Sequence, residues 1–110
     1  METISREQAL EMVKDQELKH VTVVEALGPE DYAKFHLPGA KNVPFDDQFD
    51  QNIQKAAPNK SQPVLVYCMD SECKASPRAA QRMDELGYSR VYDYEAGKVD
   101  WKQAGLKIEA

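Results

Sequence analysis

The chain has 110 residues, 42% hydrophobic and 30% charged, with a formal net charge of -5 at pH 7. This length suits a single hydrophobic core, so we interpret residues 1–110 as one domain. The acidic balance argues against nucleic-acid binding, which needs clustered basic residues, and the longest apolar run, Val64–Met69, is too short to span a bilayer.

The N-terminal segment and the cysteine content indicate the compartment. Residues 1–7 lack the apolar stretch of a signal peptide, so we expect a cytoplasmic protein without a membrane partner. Two cysteines are too few for a disulfide framework. Because His20 and His36 stand alone, no zinc-ligand spacing is present, and we expect neither a metal nor another cofactor.

The first third of the chain alternates between helical and extended patterns. A capping box at Ser5–Gln8 opens a helix that is predicted to end near Asp15, and residues 21–24 form a predicted strand. A turn at 28–31 leads into a short helix, and a short strand is predicted at 41–43.

The middle of the chain contains the most apolar strand. Phe49, Ile53 and Ala57 recur at helical spacing after the acidic pair at 46–47, which predicts a third helix. Val64–Tyr67 is a continuous apolar run that is typical of a strand covered on both faces inside a parallel sheet. We therefore predict that it is the central strand.

The last third repeats the alternation. Ser76 is a predicted N-cap with Pro77 at the first helical position, and this helix is predicted to stop at Gly87. A strand at 90–93 and a last helix that ends at Gly105 complete the pattern. Strands that alternate with helices predict an α/β fold with a mainly parallel sheet.

Cys68 is the candidate reactive residue, because it directly follows the predicted central strand. Ligands of open α/β sheets bind beyond the carboxyl ends of the strands, and N–H groups at the start of the next helix can converge there on an anion. Such surroundings can lower a cysteine pKa from ~8.5 to roughly 3.5–7.5, which supplies a thiolate without a histidine base. The alternative is a small buried side chain with no chemical role.

Four motifs occur in order along nearly the whole chain. Residues 25–44 contain E-A-L-G-P-E-D-Y followed by H-L-P-G-A-K-N-V-P, 66–68 are V-Y-C, 76–80 are S-P-R-A-A, and 86–101 run from L-G-Y to W. Together they resemble the rhodanese homology domain. That resemblance implies a doubly wound α/β domain with helices on both faces of the sheet, in which Cys68 carries a transferred sulfur atom within a backbone cradle.

The segment after the nucleophile departs from the pattern of that family. It is about two residues longer, and Ala75 occupies the position of the usual arginine. Leu27 likewise replaces an arginine, which predicts that Glu25 lacks its usual ion-pair partner. The predicted active-site loop consists of Met69, Asp70, Ser71, Glu72, Cys73, Lys74, Ala75 and Ser76.

The charges of this loop bear on the choice of sulfur donor. Asp70 and Glu72 oppose a thiolate and a dianionic donor if they face the site, whereas they matter little if they point to solvent. Lys74 and Arg78 are candidate anion-binding residues that can offset them, although Arg78 can equally be a solvated surface residue.

Cys73 has three interpretations. It can be a redox partner that attacks a persulfide on Cys68 or forms a reversible, inactivating disulfide with it, since only four residues separate the two. It can itself be the nucleophile of a C-x-x-x-x-R loop that ends at Arg78, although Pro77 would then contribute no N–H to the cradle. It can also be a spectator.

The resemblance implies a sulfurtransferase. Cys68 would take a sulfane sulfur from thiosulfate or a persulfide donor, hold it as a persulfide, and pass it to a thiol, a cyanide or a protein sulfur carrier. One alternative is a non-catalytic binding or regulatory module that uses the acidic loop to recognise a partner. Another is an oxyanion enzyme of the phosphatase or arsenate-reductase type.

Overall fold

The computed structural model describes residues 1–110 as a parallel five-stranded sheet with helices on both faces. None of the helices is long and apolar enough to cross a membrane. In chain order the elements are β1 (Glu2–Thr3), α1 (Arg6–Lys14), β2 (Thr22–Glu25), α2 (Pro29–Lys34), β3 (Lys41–Asn42), α3 (Phe49–Ala56), β4 (Val64–Tyr67), α4 (Ala75–Glu85), β5 (Val91–Tyr94) and α5 (Gly97–Gln103).

The strand order is β1-β5-β4-β2-β3, and every pairing is parallel. The predicted central strand β4 lies between β2 and β5, with Tyr67 in register with Glu25 on one side and Tyr94 on the other. All four β4 residues are buried, which is why this strand lacks the alternation of a half-exposed one. The predictions of an α/β fold and of a central β4 are confirmed.

Two hydrophobic clusters cover the two faces of the sheet. On one face, Val64 and Val66 pack with side chains of α3 and α4, among them Ile53, Ala80 and Met83. On the other face, the second cluster contains Ala9, Val13, Val23, Leu65, Tyr67, Tyr94 and Trp101, which belong to α1, β2, β4, β5 and α5. Because the residues of β4 alternate between the two clusters, the sheet is doubly wound.

The predicted helix starts are right at α1 and wrong at α4. Ser5 and Gln8 form the predicted capping box at the start of α1. Helix α4, in contrast, begins at Ala75 with Lys74 as its N-cap, so Ser76 lies in the first turn and Pro77 is the third helical residue. The Ser76 hydroxyl donates instead to a buried carboxylate on β5, which explains why it does not cap the helix.

Candidate active site

Cys68 lies at the carboxyl end of β4 and is 1% exposed. The Ser76 N–H, in the first turn of α4, donates a hydrogen bond of 3.4 Å to Cys68 Sγ. The Cys68 carbonyl accepts the Lys98 N–H at 3.0 Å, which attaches this end of the strand to the start of α5. The sulfur is therefore held at the N-terminal end of a helix, where the helix dipole favours negative charge.

Cys68 and Cys73 are joined by a disulfide, with their Cα atoms 6.3 Å apart. This separation lies within the usual range for a disulfide. Cys68 is buried, whereas Cys73 is only partly buried. The structure therefore describes the oxidised state of the site, and a nucleophilic Cys68 requires the disulfide to be reduced first.

The loop between the two cysteines is folded around Asp70. Its Oδ1 accepts the N–H groups of Glu72 and Cys73 at 3.1 and 3.2 Å, and its carbonyl also accepts the Cys73 N–H at 3.1 Å. Asp70 is partly buried, whereas Glu72 is exposed. The Asp70 carboxylate thus stabilises the turn, and the N–H groups of Glu72 and Cys73 donate to it rather than to Cys68 Sγ.

Helix α5 packs closely against the start of this loop. Gly97 has a positive φ of 77°, and a Cβ at this position would come within 2.6 Å of the Met69 backbone. The Met69 carbonyl accepts the Val99 N–H at 3.0 Å. Only glycine suits both the backbone conformation and the close approach, so Gly97 allows α5 to hold the first residue of the loop.

Behind Cys68, Ser76 connects the sulfur to a buried carboxylate. Ser76 Oγ lies 3.5 Å from Cys68 Sγ and donates to Asp93 Oδ1 at 2.8 Å. Asp93 is fully buried, and its Oδ2 has no hydrogen-bond partner. Burial raises the pKa of Asp93, the Ser76 hydroxyl offsets part of this rise, and the Glu95 carboxylate adds to it.

A buried ion pair connects Glu25 to α5. Lys98 Nζ lies 3.1 Å from Glu25 Oε2 and also donates to the carbonyls of Asp31 and Phe35 at 2.8 and 2.7 Å. The Tyr67 hydroxyl donates to Glu25 Oε1 at 2.8 Å. Burial raises the pKa of Glu25, and the bonds from Tyr67 and Lys98 offset part of that rise. The prediction that Glu25 lacks an ion-pair partner is therefore wrong, because Lys98 supplies the cation.

The two predicted anion-binding residues lie on the solvent side of the loop. Lys74 and Arg78 are exposed, form no ion pair, and line a cavity of about 280 Å³ together with Cys73 and Glu95. Cys73 therefore lines this cavity, whereas Cys68 is buried and does not line it. No group of three or more His, Cys, Asp and Glu side chains is arranged to hold a metal ion.

The family model described as the rhodanese-like domain matches residues 5–104 of the chain. The chain belongs to the rhodanese-like domain family. This membership accounts for the doubly wound sheet, and it confirms the resemblance carried by the four sequence motifs.

Two proteins with different descriptions are similar in sequence to this rhodanese-like domain. It is 26% identical over 99 residues to the HTH-type transcriptional regulator Rv0324 of Mycobacterium tuberculosis, covering 90% of this chain and 42% of the relative. It is 31% identical over 88 residues to the uncharacterized protein YqhL of Bacillus subtilis, covering 80% of this chain and 64% of the relative. The chain thus spans less than two thirds of either relative.

The fold of this rhodanese-like domain also matches that of a thiosulfate sulfurtransferase from Pseudomonas aeruginosa. The TM-score is 0.83 at 19% identity, and the match covers 99% of this chain and 20% of that one. At this identity the likeness is one of fold.

Three residues that organise this rhodanese-like site, Asp93, Gly97 and Lys98, are not among the site residues predicted from the sequence. Asp93 lies in the predicted strand at 90–93, and a carboxylate on the strand next to β4 is a signal that it could face Cys68. Gly97 lies within the last family motif, at 86–101, and the motif does not indicate its close approach to Met69. The residues around Lys98 in the sequence do not indicate its role, because its ion-pair partner Glu25 is 73 residues away in the chain.

Replacing Asp93 by asparagine is expected to flatten the pH dependence of stability. A raised folded-state pKa means that Asp93 favours the folded protein in acid and that this contribution is lost as the pH rises through its folded pKa. Asp93→Asn removes this titration. On acidification, the reduced wild-type protein should therefore become more stable relative to the reduced variant, by about 1.4 kcal/mol for each pH unit by which the folded-state pKa of Asp93 exceeds its unfolded-state pKa. Urea unfolding at a series of pH values measures the difference, and parallel curves would contradict it.

If the chain transfers sulfur, as the sequence resemblance implies, neutralising the loop carboxylates is expected to favour an anionic donor. Asp70→Asn with Glu72→Gln should raise sulfur transfer from thiosulfate roughly two- to ten-fold, with a smaller gain for a neutral persulfide, by relieving charge repulsion. The amide keeps an oxygen that can accept the loop N–H groups, so the turn is preserved. Steady-state rates with both donors, at low and high salt, measure the effect. Equal rates for variant and parent would show that neither carboxylate acts on the donor.

Proposed function

We propose that the chain is a sulfurtransferase that moves a sulfane sulfur from thiosulfate or a persulfide donor to a thiol or cyanide acceptor. The observation that carries this proposal is the position of Cys68, whose sulfur accepts a hydrogen bond from Ser76 N–H at the start of α4. This donor and the helix dipole stabilise a thiolate once the disulfide is reduced. A buried thiolate with such support is a nucleophile without a basic side chain.

The reaction proceeds in two displacements at sulfur. The Cys68 thiolate attacks the outer sulfur of thiosulfate, the S–S bond of the donor breaks, and sulfite leaves with the electron pair. Cys68 then carries a persulfide. A thiolate or cyanide attacks the outer sulfur of that persulfide, and the Cys68 thiolate leaves. No cofactor takes part in either step.

Lys74 and Arg78 are the proposed anion-binding residues. Both are exposed, lie beside Cys73 on the cavity and lack an ion-pair partner, so their charges are free to attract an anionic donor. Asp70 and Glu72 oppose them in part, which favours a persulfide or a protein-borne sulfur over thiosulfate. We place the protein in the cytoplasm, where thiols are kept reduced.

The choice of Cys68 over Cys73 as the nucleophile is supported by the start of α4. Residues from Ala75 onward are helical, so the segment between Cys73 and Arg78 forms no separate anion-binding loop. Cys73 N–H also donates to Asp70. We propose that Cys73 is the redox partner of Cys68.

Activity is expected to depend on the redox state of the two cysteines. Oxidised protein should have two fewer free thiols and no transfer activity, because Cys68 Sγ is bonded to Cys73, and dithiothreitol should restore both. Thiol counting and transfer rates across a series of redox buffers measure the dependence. Full transfer activity in a redox buffer that is oxidising enough to leave no free thiols would contradict this prediction.

Intact-mass spectrometry tests the proposed function. Reduced Cys73→Ser protein is exposed to thiosulfate or to a small persulfide, desalted and weighed, and the expected result is the gain of one sulfur atom that cyanide then removes as thiocyanate. No gain of sulfur from either donor would contradict the proposal, and it would favour a binding module if reduced Cys68→Ser protein gained none either. Hydrolysis of a phosphate ester or reduction of arsenate by a protein that takes up no sulfur would favour the oxyanion enzyme.

A further inference from the structure

We propose that Cys73 attacks the sulfur-loaded Cys68, so that the protein releases the bound sulfane sulfur as sulfide and closes the Cys68–Cys73 disulfide. The inference rests on the proposed function, since it needs a persulfide on Cys68. It adds a second activity, in which the chain reduces sulfane sulfur at the expense of a dithiol.

The observation behind this inference is that Cys73 Sγ reaches the sulfur that would be the inner atom of the persulfide. The disulfide and the contacts that hold Cys68 are present in the same structure. The Ser76 N–H donates to Cys68 Sγ, and the Lys98 N–H donates to the Cys68 carbonyl. Bond formation between the two cysteines is thus compatible with an intact strand end and an intact helix start.

The loop is held in the conformation that this attack requires. Asp70 accepts the N–H groups of Glu72 and Cys73, and the Met69 carbonyl accepts the N–H of Val99 on α5. These hydrogen bonds fix the backbone on both sides of the turn. A loop ordered in this way brings Cys73 to Cys68 at a smaller entropic cost than a mobile one.

The step balances in atoms and electrons. The Cys73 sulfur attacks Cys68 Sγ, the bond between Sγ and the outer sulfur breaks, and the outer sulfur leaves with the electron pair. The proton of the Cys73 thiol goes to the leaving sulfur, which departs as hydrosulfide. One sulfane sulfur is reduced to sulfide while two cysteines are oxidised to a disulfide.

A dithiol reductant completes the cycle, and the exposure of the two cysteines determines where it attacks. Cys68 is 1% exposed, whereas Cys73 is partly buried and lines the cavity beside Lys74 and Arg78. The reductant therefore forms its mixed disulfide with Cys73 and releases Cys68 as the thiolate, which the Ser76 N–H stabilises. The second thiol of the reductant then frees Cys73, and the reductant is oxidised to its own disulfide.

A single-turnover experiment tests the inference. Reduced protein, freed of dithiothreitol under anaerobic conditions, is mixed with thiosulfate, and sulfide, free thiols and protein mass are followed. Wild-type protein should release about one sulfide for each sulfur taken up and lose two thiols. Cys73→Ser should take up sulfur, keep it, and release sulfide at least ten-fold more slowly. Cys73→Ala is the matched control, because both variants lack the thiol and only one keeps a hydroxyl.

The outcomes separate this inference from the proposed function. Sulfur uptake with equally slow sulfide release by the wild-type protein and both variants would overturn the inference and leave the sulfurtransferase intact. Failure of all three proteins to take up sulfur would overturn the proposed function and the inference with it. Rapid sulfide release from Cys73→Ser and Cys73→Ala would show that Cys73 is not the attacking thiol.

Discussion

Cys68→Ser is expected to lower sulfur transfer by at least about 1,000-fold, because a serine hydroxyl cannot form the persulfide on which every later step depends. The fold should persist, since the substitution exchanges sulfur for oxygen at a single buried atom. The measurement is thiocyanate formation from thiosulfate and cyanide by reduced protein, with sulfur uptake followed by mass.

The matched control is Cys73→Ser, which removes the second thiol and leaves Cys68 in place. It should take up one sulfur atom and transfer that sulfur to cyanide. The reverse pattern, with Cys73 essential and Cys68 dispensable, would mean that the nucleophile belongs to the C-x-x-x-x-R segment that ends at Arg78.

Lys98→Met is expected to lower the free energy of unfolding by about 3–5 kcal/mol, because it leaves the Glu25 carboxylate buried without its cation. Methionine fills most of the lysine volume, so the loss of unfolding free energy measures the contribution of the Lys98 charge and its hydrogen bonds rather than of lost packing. The carbonyls of Asp31 and Phe35 also lose a donor, which weakens the attachment of α2 to α5. Guanidinium unfolding of reduced protein at neutral pH measures the change.

The double variant Glu25→Gln with Lys98→Met is the control for this loss. It removes both charges and should recover part of the stability, and the difference from the sum of the single changes gives the coupling energy. The deficit of Lys98→Met should also shrink as the pH falls through the raised pKa of Glu25, because protonation neutralises the carboxylate. A loss below about 1 kcal/mol would show that the pair behaves as a surface ion pair does.

The elements with a strong hydrophobic pattern were predictable. The bounds of β4 match the apolar run Val64–Tyr67, because a strand buried on both faces has no polar position to interrupt it. Strand β1, with only Glu2 and Thr3, was missed because two exposed residues have no periodicity and pair only through their backbone. Short edge strands of this kind depend on a partner strand that is distant in the sequence.

The position of Cys68 at the end of the central strand was predictable, whereas the contacts around it were not. Cys68 follows a buried strand and precedes a helix, and both features are local in the sequence. The sequence wrongly predicts Ser76 as the cap of α4, because the bond from its hydroxyl to Asp93 depends on tertiary packing that brings β5 beside α4. The family resemblance predicts the cation for Glu25 at position 27, whereas the structure supplies it from Lys98 at the start of α5, 73 residues away in the chain.

The most direct test of the account locates the transferred sulfur. Reduced wild-type protein is exposed to thiosulfate and alkylated at once with iodoacetamide, and its peptides are analysed by mass spectrometry. The predicted result is one additional sulfur between the alkyl group and Cys68, with Cys73 alkylated directly. Molecules that have already released sulfide should instead contain the Cys68–Cys73 disulfide and no additional sulfur. An additional sulfur on Cys73 with Cys68 alkylated directly would contradict the account.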